Sequence, residues 1–135
     1  HAEKKLTLDV VEKTIARADE VGLATIVCAD TVEELTAIAK LGPNLLVAEP
    51  TELIGTGKTS DSNYVIETIK QVREINPDIM VLQGAGISNG QDVYNTIKLG
   101  AQATGSTSGI LKADDPYAMV EEMLYNLRKA WDEMH

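Results

Sequence analysis

What this chain has little of narrows its function before any motif is read. It carries one cysteine in 135 residues, Cys28. It can therefore make no internal disulfide and assembles no zinc-type Cys/His cluster, which fits a reducing, cytoplasmic setting and no bound metal. Cations are scarce: 12 Lys and Arg stand against 21 Asp and Glu, for a formal charge of −9. Non-specific binding to nucleic acid or to an anionic membrane needs clustered positive charge, so neither partner is expected. No apolar run approaches the ~20 residues that span a bilayer, and no signal-peptide pattern opens the chain. The length also falls short of the roughly 200 residues that a complete eight-stranded α/β barrel needs. It does suffice for one domain, residues 1–135, with a real core, since 44% of the residues are hydrophobic. The first residue is His1 rather than Met, as in a processed chain or a piece of a longer one.

What is there is an alternation of short apolar runs and amphipathic stretches. Thr7 opens a first helix whose Leu8, Val11, Ile15 and Ala18 recur at helical spacing up to Gly22. The run Leu23–Cys28 suits a strand buried on both faces. Thr31 and Glu34 form a capping box for a helix that ends at Gly42-Pro43. A second strand is predicted over Leu45–Ala48, followed by a long polar loop from Pro50 to Ser60. Asp61 or Ser62 caps a helix that stops at Asn76-Pro77. The third strand is predicted over Ile79–Leu82, and Ser88 with Gln91 forms a second capping box. A fourth strand is predicted over Gln102–Ser106, weak in β-propensity. Asp115-Pro116 then starts a last helix carrying Met119, Met123, Leu127 and Trp131. The order α-βα-βα-βα-βα implies right-handed crossover units. Periodicity leaves both an open doubly wound sheet and a barrel standing.

In parallel α/β architectures ligands bind at the carboxyl ends of the strands. The first such loop, Ala29-Asp30, is short and says little. The second opens with Glu49, a carboxylate at the end of a buried strand, where its pKa can be tuned for proton transfer. The third, Gly84-Ala85-Gly86, and the fourth, Thr107-Ser108-Gly109, are small-residue turns able to present backbone N–H groups to an anion. Each is weak by itself; their succession after a carboxylate is much stronger.

That succession carries a resemblance. Val47-Ala-Glu-Pro50, Ile54-Gly-Thr-Gly57, Gly84-Ala-Gly86 and Ser108-Gly109 resemble the carboxyl-terminal half of triosephosphate isomerase in its compact archaeal form. His1-Ala-Glu-Lys-Lys5 is similar to the family's His-Ser-Glu-Arg-Arg segment after its fourth strand. The resemblance implies half of a (β/α)8 barrel, from the end of strand four to helix eight, completed by an amino-terminal half. It implies Glu49 as catalytic base, His1 as neutral electrophile under a closing loop, and Glu3 as the acidic residue beside that histidine. Pro50, Thr51, Glu52, Leu53, Ile54, Gly55 and Gly57 would belong to the lid. Gly55, Gly86, Thr107 and Ser108 would hold the substrate phosphate. The implied reaction interconverts dihydroxyacetone phosphate and glyceraldehyde 3-phosphate without a cofactor, in a homo-oligomer of whole barrels. Ala2 replaces the family serine, Lys4 and Lys5 replace arginines, and the lysine of the family's first strand has no counterpart here. The isolated chain is thus expected to be inactive. A non-catalytic half-barrel that binds phosphate compounds, or serves as an assembly partner, is the alternative.

The remaining residues have plainer expectations. Cys28 reads as a small, buried, inert core thiol. Gln83 and the Thr104–Thr107 run are polar for barrel strands, which puts packing of the barrel interior in question. Trp131 reads as packing against the barrel or a subunit partner, with packing the better reading, and His135 as a frayed end.

Overall fold

The computed structural model describes residues 4–53 and 55–135. Helix α1 (Leu8–Glu20) leads, followed by β1 (Ile26–Ala29), α2 (Val32–Ala39), β2 (Leu45–Ala48), α3 (Ser62–Ile75), β3 (Met80–Gln83), α4 (Gly90–Lys98), β4 (Ala103–Thr104), the one-turn α5 (Ser108–Leu111) and α6 (Pro116–Asp132). The four strands are parallel and lie in sequence order, β1-β2-β3-β4. Sequential right-handed crossovers never reverse direction, so they place every helix on one side of the sheet; a doubly wound sheet requires a reversal.

Register confirms that one face is covered and the other is not. Val27 pairs with Leu46 and Leu46 with Val81; Ala29 pairs with Ala48. These residues share a face and pack with Leu35, Ile38, Val65, Ile69 and Val72 of α2 and α3. The alternate set points the other way, and there Ile26 is 61% and Met80 43% exposed, while Val47 in the middle of the sheet is 8% exposed. Cys28 belongs to this uncovered set and is exposed. The expectation of a buried thiol therefore fails: a run of apolar residues does not mean burial on both faces when one face has no covering layer.

The strand ends differ from expectation for local reasons. The first strand begins at Ile26, three residues later than predicted, because Leu23 N–H closes the end of α1 by bonding Ala18 O at 2.9 Å. The fourth is only Ala103–Thr104, because its polar residues bond to β3 through side chains. Gln102 Oε1 accepts from Val81 N–H at 3.0 Å, and Thr104 Oγ1 donates to Gln83 O at 2.7 Å.

The caps follow the same logic. The first box forms in part: Thr31 Oγ1 accepts from Glu34 N–H at 3.2 Å, while the Glu34 carboxylate takes the N–H of Asp30, one residue before the cap, at 3.2 Å. Asp61 caps α3 and Asp115 caps α6 with Pro116 in its first turn. The second box does not form between Ser88 and Gln91. Asn89 caps α4 instead, accepting from Asp92 N–H at 2.9 Å, while the Asp92 carboxylate accepts from Ser88 N–H and Oγ at 2.9 and 2.8 Å. A charged carboxylate is the stronger acceptor for those donors, and Gln91 turns outward to Asn95.

Candidate functional site

Three loops converge at the carboxyl end of the sheet, and glycines permit their approach. Glu49 follows β2 directly, its N–H bonded to Ala29 O at 3.1 Å. It has the strand parity of Leu45 and Val47, so its side chain rises on the uncovered face. There its Oε1 lies 3.5 Å from the point where a β-carbon on Gly84 would stand. The loop after β2 begins with buried Pro50 and a 3-10 turn, Thr51–Leu53. Its far end lies across the third loop: a β-carbon on Gly86, whose φ is +75°, would stand 1.8 Å from Lys58 O. Only glycine fits that contact. The fourth loop backs onto the third in turn. A β-carbon on Gly109 would stand 2.6 Å from Ile87 O, and Ser106 Oγ donates to that same carbonyl at 2.6 Å.

These contacts bring Glu49, the 50–60 loop, Gly84–Gly86 and the Thr107–Ser108 turn to one end of the sheet. Gly55 and Gly57 are exposed with φ of +73° and +71°. Thr107 is exposed and Ser108 half-buried at the start of α5. His1, Glu3 and Ile54 lie outside the described residues.

Glu49 is half-buried, and its surroundings suit a base. Desolvation raises its pKa above the ordinary carboxylate value, and the negative charge of Asp30 adds to the effect. Cys28 stands beside it: burial on its sheet side, then the charges of Glu49 and Asp30, push the thiol up. Such a raised carboxylate takes a proton more readily than a solvated one. Among the described residues no cluster of three or more His, Cys, Asp or Glu could hold a metal ion.

The sequence reading passed over Asp30, which the structure makes a hub. Its carboxylate accepts a hydrogen bond from the Thr51 hydroxyl and lies 3.6 Å from Lys5 Nζ. Its N–H donates to Glu34 Oε2 at 3.2 Å, and its carbonyl accepts from Tyr64 O–H at 2.8 Å. Lys5 pairs with Glu34, and that bond holds the Glu34 carboxyl below the usual range. Burial drives the Tyr64 phenol up to about 12. No local pattern announced the bonds from Thr51 and Tyr64, which lie 21 and 34 residues from Asp30.

Gln83 also lies elsewhere than expected. It pairs with Ala48, faces the helices rather than the uncovered side, and is 3% exposed. Its polarity therefore leaves the uncovered face undisturbed. It lines a cavity of about 100 Å³ with Ser60, Asp92, Asn95 and Thr96. Trp131 is half exposed rather than packed on the sheet, and His135 is stacked on it with ring centroids 3.9 Å apart.

Comparison with known proteins gives this arrangement its family. The chain matches the family model for triosephosphate isomerase over residues 1–123. The triosephosphate isomerase of Methanosarcina barkeri is 42% identical over 127 residues, covering 92% of this chain and 57% of that protein. That of Sulfurisphaera tokodaii is 34% identical over 135 residues, covering 98% and 58%. The chain thus spans somewhat more than half the length of the relatives it matches. Among solved structures, the Amycolatopsis orientalis BexX/CysO complex superposes with a TM-score of 0.70 at 20% identity, over 92% of this chain and 48% of that one. The flavin-binding domain of baker's yeast flavocytochrome b2 gives 0.65 at 21% identity, over 93% and 33%. At such identities these two show likeness of fold alone. The sequential parallel sheet with one helical layer is a partial (β/α)8 barrel, and the chain belongs to the triosephosphate isomerase family.

Proposed function

We propose that this chain, residues 1–135, supplies the base, the lid and the phosphate-gripping turns of a triosephosphate isomerase barrel. The barrel interconverts dihydroxyacetone phosphate and glyceraldehyde 3-phosphate once an amino-terminal half completes it. The observation that carries this reading is Glu49, whose carboxylate overhangs Gly84 between the 50–60 loop and the third loop. Glu49 removes a proton from the carbon beside the substrate carbonyl and returns it to the neighbouring carbon. His1 polarises the carbonyl and moves protons between its oxygens, with Glu3 beside it; both roles come from the family motif. The resulting enediolate must be shielded from water, because an exposed one expels its phosphate. Residues 50–57 provide that lid. Backbone N–H groups at Gly55, Gly86, Thr107 and Ser108 hold the phosphate dianion, so that the reactive end meets Glu49. A protein of charge −9 does this with local dipoles rather than overall attraction.

A further feature supports a missing half: among the described residues one side of β1 has no neighbouring strand, and a groove of about 450 Å³ runs beside it, lined by Leu6, Leu8, Val11, Ile15, Val27 and Ile38. The exposed stripe Tyr117, Val120 and Leu124 on α6 suits contact between whole barrels in a homo-oligomer.

The test is reconstitution. The chain alone should show negligible isomerase activity, and adding the complementary half should restore it. Glu49→Gln in the reconstituted barrel should lower kcat by about 10²–10⁴-fold while sparing phosphate binding. Wild-type turnover in that variant would overturn the assignment. Saturable phosphate binding with no turnover in the unmutated barrel would instead mark a phosphate-binding half-barrel.

A further inference from the structure

Asp30 is bonded to Thr51 near the start of the 50–60 loop and to Tyr64 in the helix that follows it, and the reaction described above gives it no part. At the near end its carboxylate takes the Thr51 hydroxyl, two residues beyond Glu49. Beyond the far end its carbonyl takes the Tyr64 phenol at 2.8 Å, within the first turn of α3, just after the loop has ended. Asp30 itself is held firmly. Its N–H bonds the Glu34 carboxylate at 3.2 Å, Lys5 faces its side chain at 3.6 Å, and Thr31 next to it caps α2.

We propose that Asp30 is a positioning residue that ties the near foot of the lid, at Thr51, and the first turn of the helix after it, at Tyr64, to the β1–α2 junction. The proposal rests on the isomerase reading. Its physical content is a constraint on entropy: a loop whose start, and the helix it runs into, are bonded to one junction has fewer open conformations to visit. The nearer tether also acts on the base itself. Pro50 is buried between Glu49 and Thr51, so a displacement of Thr51 is passed directly to Glu49. Both contacts involve the side chain or the carbonyl of a residue that cannot move without uncapping α2.

The tethers can be removed one at a time in the barrel completed by its other half. Thr51→Val deletes the hydroxyl at nearly equal volume, Thr51→Ser restores it, Asp30→Asn removes the charge, and Tyr64→Phe removes the far tether. Two quantities are read: amide exchange over residues 55–59, and inorganic phosphate released per isomerisation. In that side reaction the bridging C–O bond of the enediolate phosphate breaks. Its electron pair leaves with phosphate, and the carbon skeleton becomes an α-dicarbonyl after proton transfer, with no oxidant or reductant needed. It requires the lid to be open while the enediolate exists. Thr51→Val should speed exchange roughly tenfold, as loss of one charge-assisted hydrogen bond would, and raise phosphate release per turnover by a similar factor. Thr51→Ser should return both to the original values, and Tyr64→Phe should act in the same direction. Unchanged exchange and unchanged phosphate release in both Thr51→Val and Asp30→Asn would overturn the proposal. Should Thr51→Val and Asp30→Asn fail to assemble, Tyr64→Phe decides on the same two readouts. Exchange needs no turnover, so it judges the tether even where an active Glu49→Gln barrel had removed the isomerase reading.

Discussion

The two margins of the sheet are flanked by amphipathic helices of the same kind, yet the β1 margin is the less finished of the two. Beside β4, α6 lays Met123 and Ala130 against Val93 and Ile97 of α4, with Ile87 beneath. A bond from Gly90 N–H to the Glu122 carboxylate at 2.8 Å fixes the pair. Beside β1, α1 buries only Ile15 and leaves Leu8 46% and Val10 40% exposed. The apolar stripe does not explain the difference, because both helices have one. What differs is the surface each stripe finds. Helix α6 follows its strand and meets α4, whereas α1 precedes β1, which has one neighbouring strand among the described residues. An amphipathic helix is buried only as far as its partners are present.

The sharpest way to break this contrast is to truncate one core residue on each side. Met123→Ala should cost about 2–5 kcal/mol, since a buried side chain is replaced by a cavity. Urea unfolding of the chain would measure it as a lower midpoint. Leu8→Ala should stay within about 0.5 kcal/mol in the same assay, and its cost should emerge only with the complementary half bound. Equal losses in the chain alone would show that the two margins are packed alike.

A second substitution sharpens the contrast from the partner's side. Ile26 lies on β1 at 61% exposure, so Ile26→Ser should leave unfolding of the chain nearly unchanged. Full burial of an isoleucine contributes about 1.5–3 kcal/mol. Association with the complementary half should therefore weaken by about tenfold or more, as titration calorimetry would detect.

The same contrast explains what was legible in the sequence. Elements whose signals are local came through: the Thr31 and Asp61 caps, the Asn76-Pro77 stop and the strand over Leu45–Ala48 match the structure. So did the loop order that places Glu49 near Gly84. Features set by neighbours far along the chain did not. Cys28 reads as core by its apolar context but sits on a face with no covering layer. Gln83 reads as a flaw in the barrel interior but faces the helices, because it shares the parity of Val81 and pairs with Ala48. Asp30 gave no sign of its role, since Thr51 and Tyr64 reach it only after β1 and β2 have paired.

A smaller effect should appear in the pH dependence of the completed barrel. Burial and then the Asp30 charge raise the pKa of Glu49. A base works only when ionised, so activity falls as pH drops through that raised value. Asp30→Asn removes one cause of the shift, and the acid limb of kcat/KM should move to lower pH. Stability has the opposite sense. Protonation of Glu49 favours the folded state, so this group contributes more stability as pH falls through its raised pKa, and Asp30→Asn should reduce that gain.

The gentlest probe of the less finished margin is the thiol on it. Cys28 faces the groove beside β1, yet burial on its sheet side and the charges of Glu49 and Asp30 hold its pKa up. Because the thiolate is the reacting form, alkylation of the chain should be slow at neutral pH and rise steeply on the alkaline side. Glu49→Gln removes a nearby negative charge and should speed the reaction at a given pH. The complementary half should suppress it at every pH by covering the face, whereas the charge effect changes only where the rise begins. A pH series of alkylation rates, with and without that half, therefore separates cover from charge. Rates indifferent to the added half would mean that the face bearing Cys28 is not where the barrel is completed, and that the difference between the two margins has another cause.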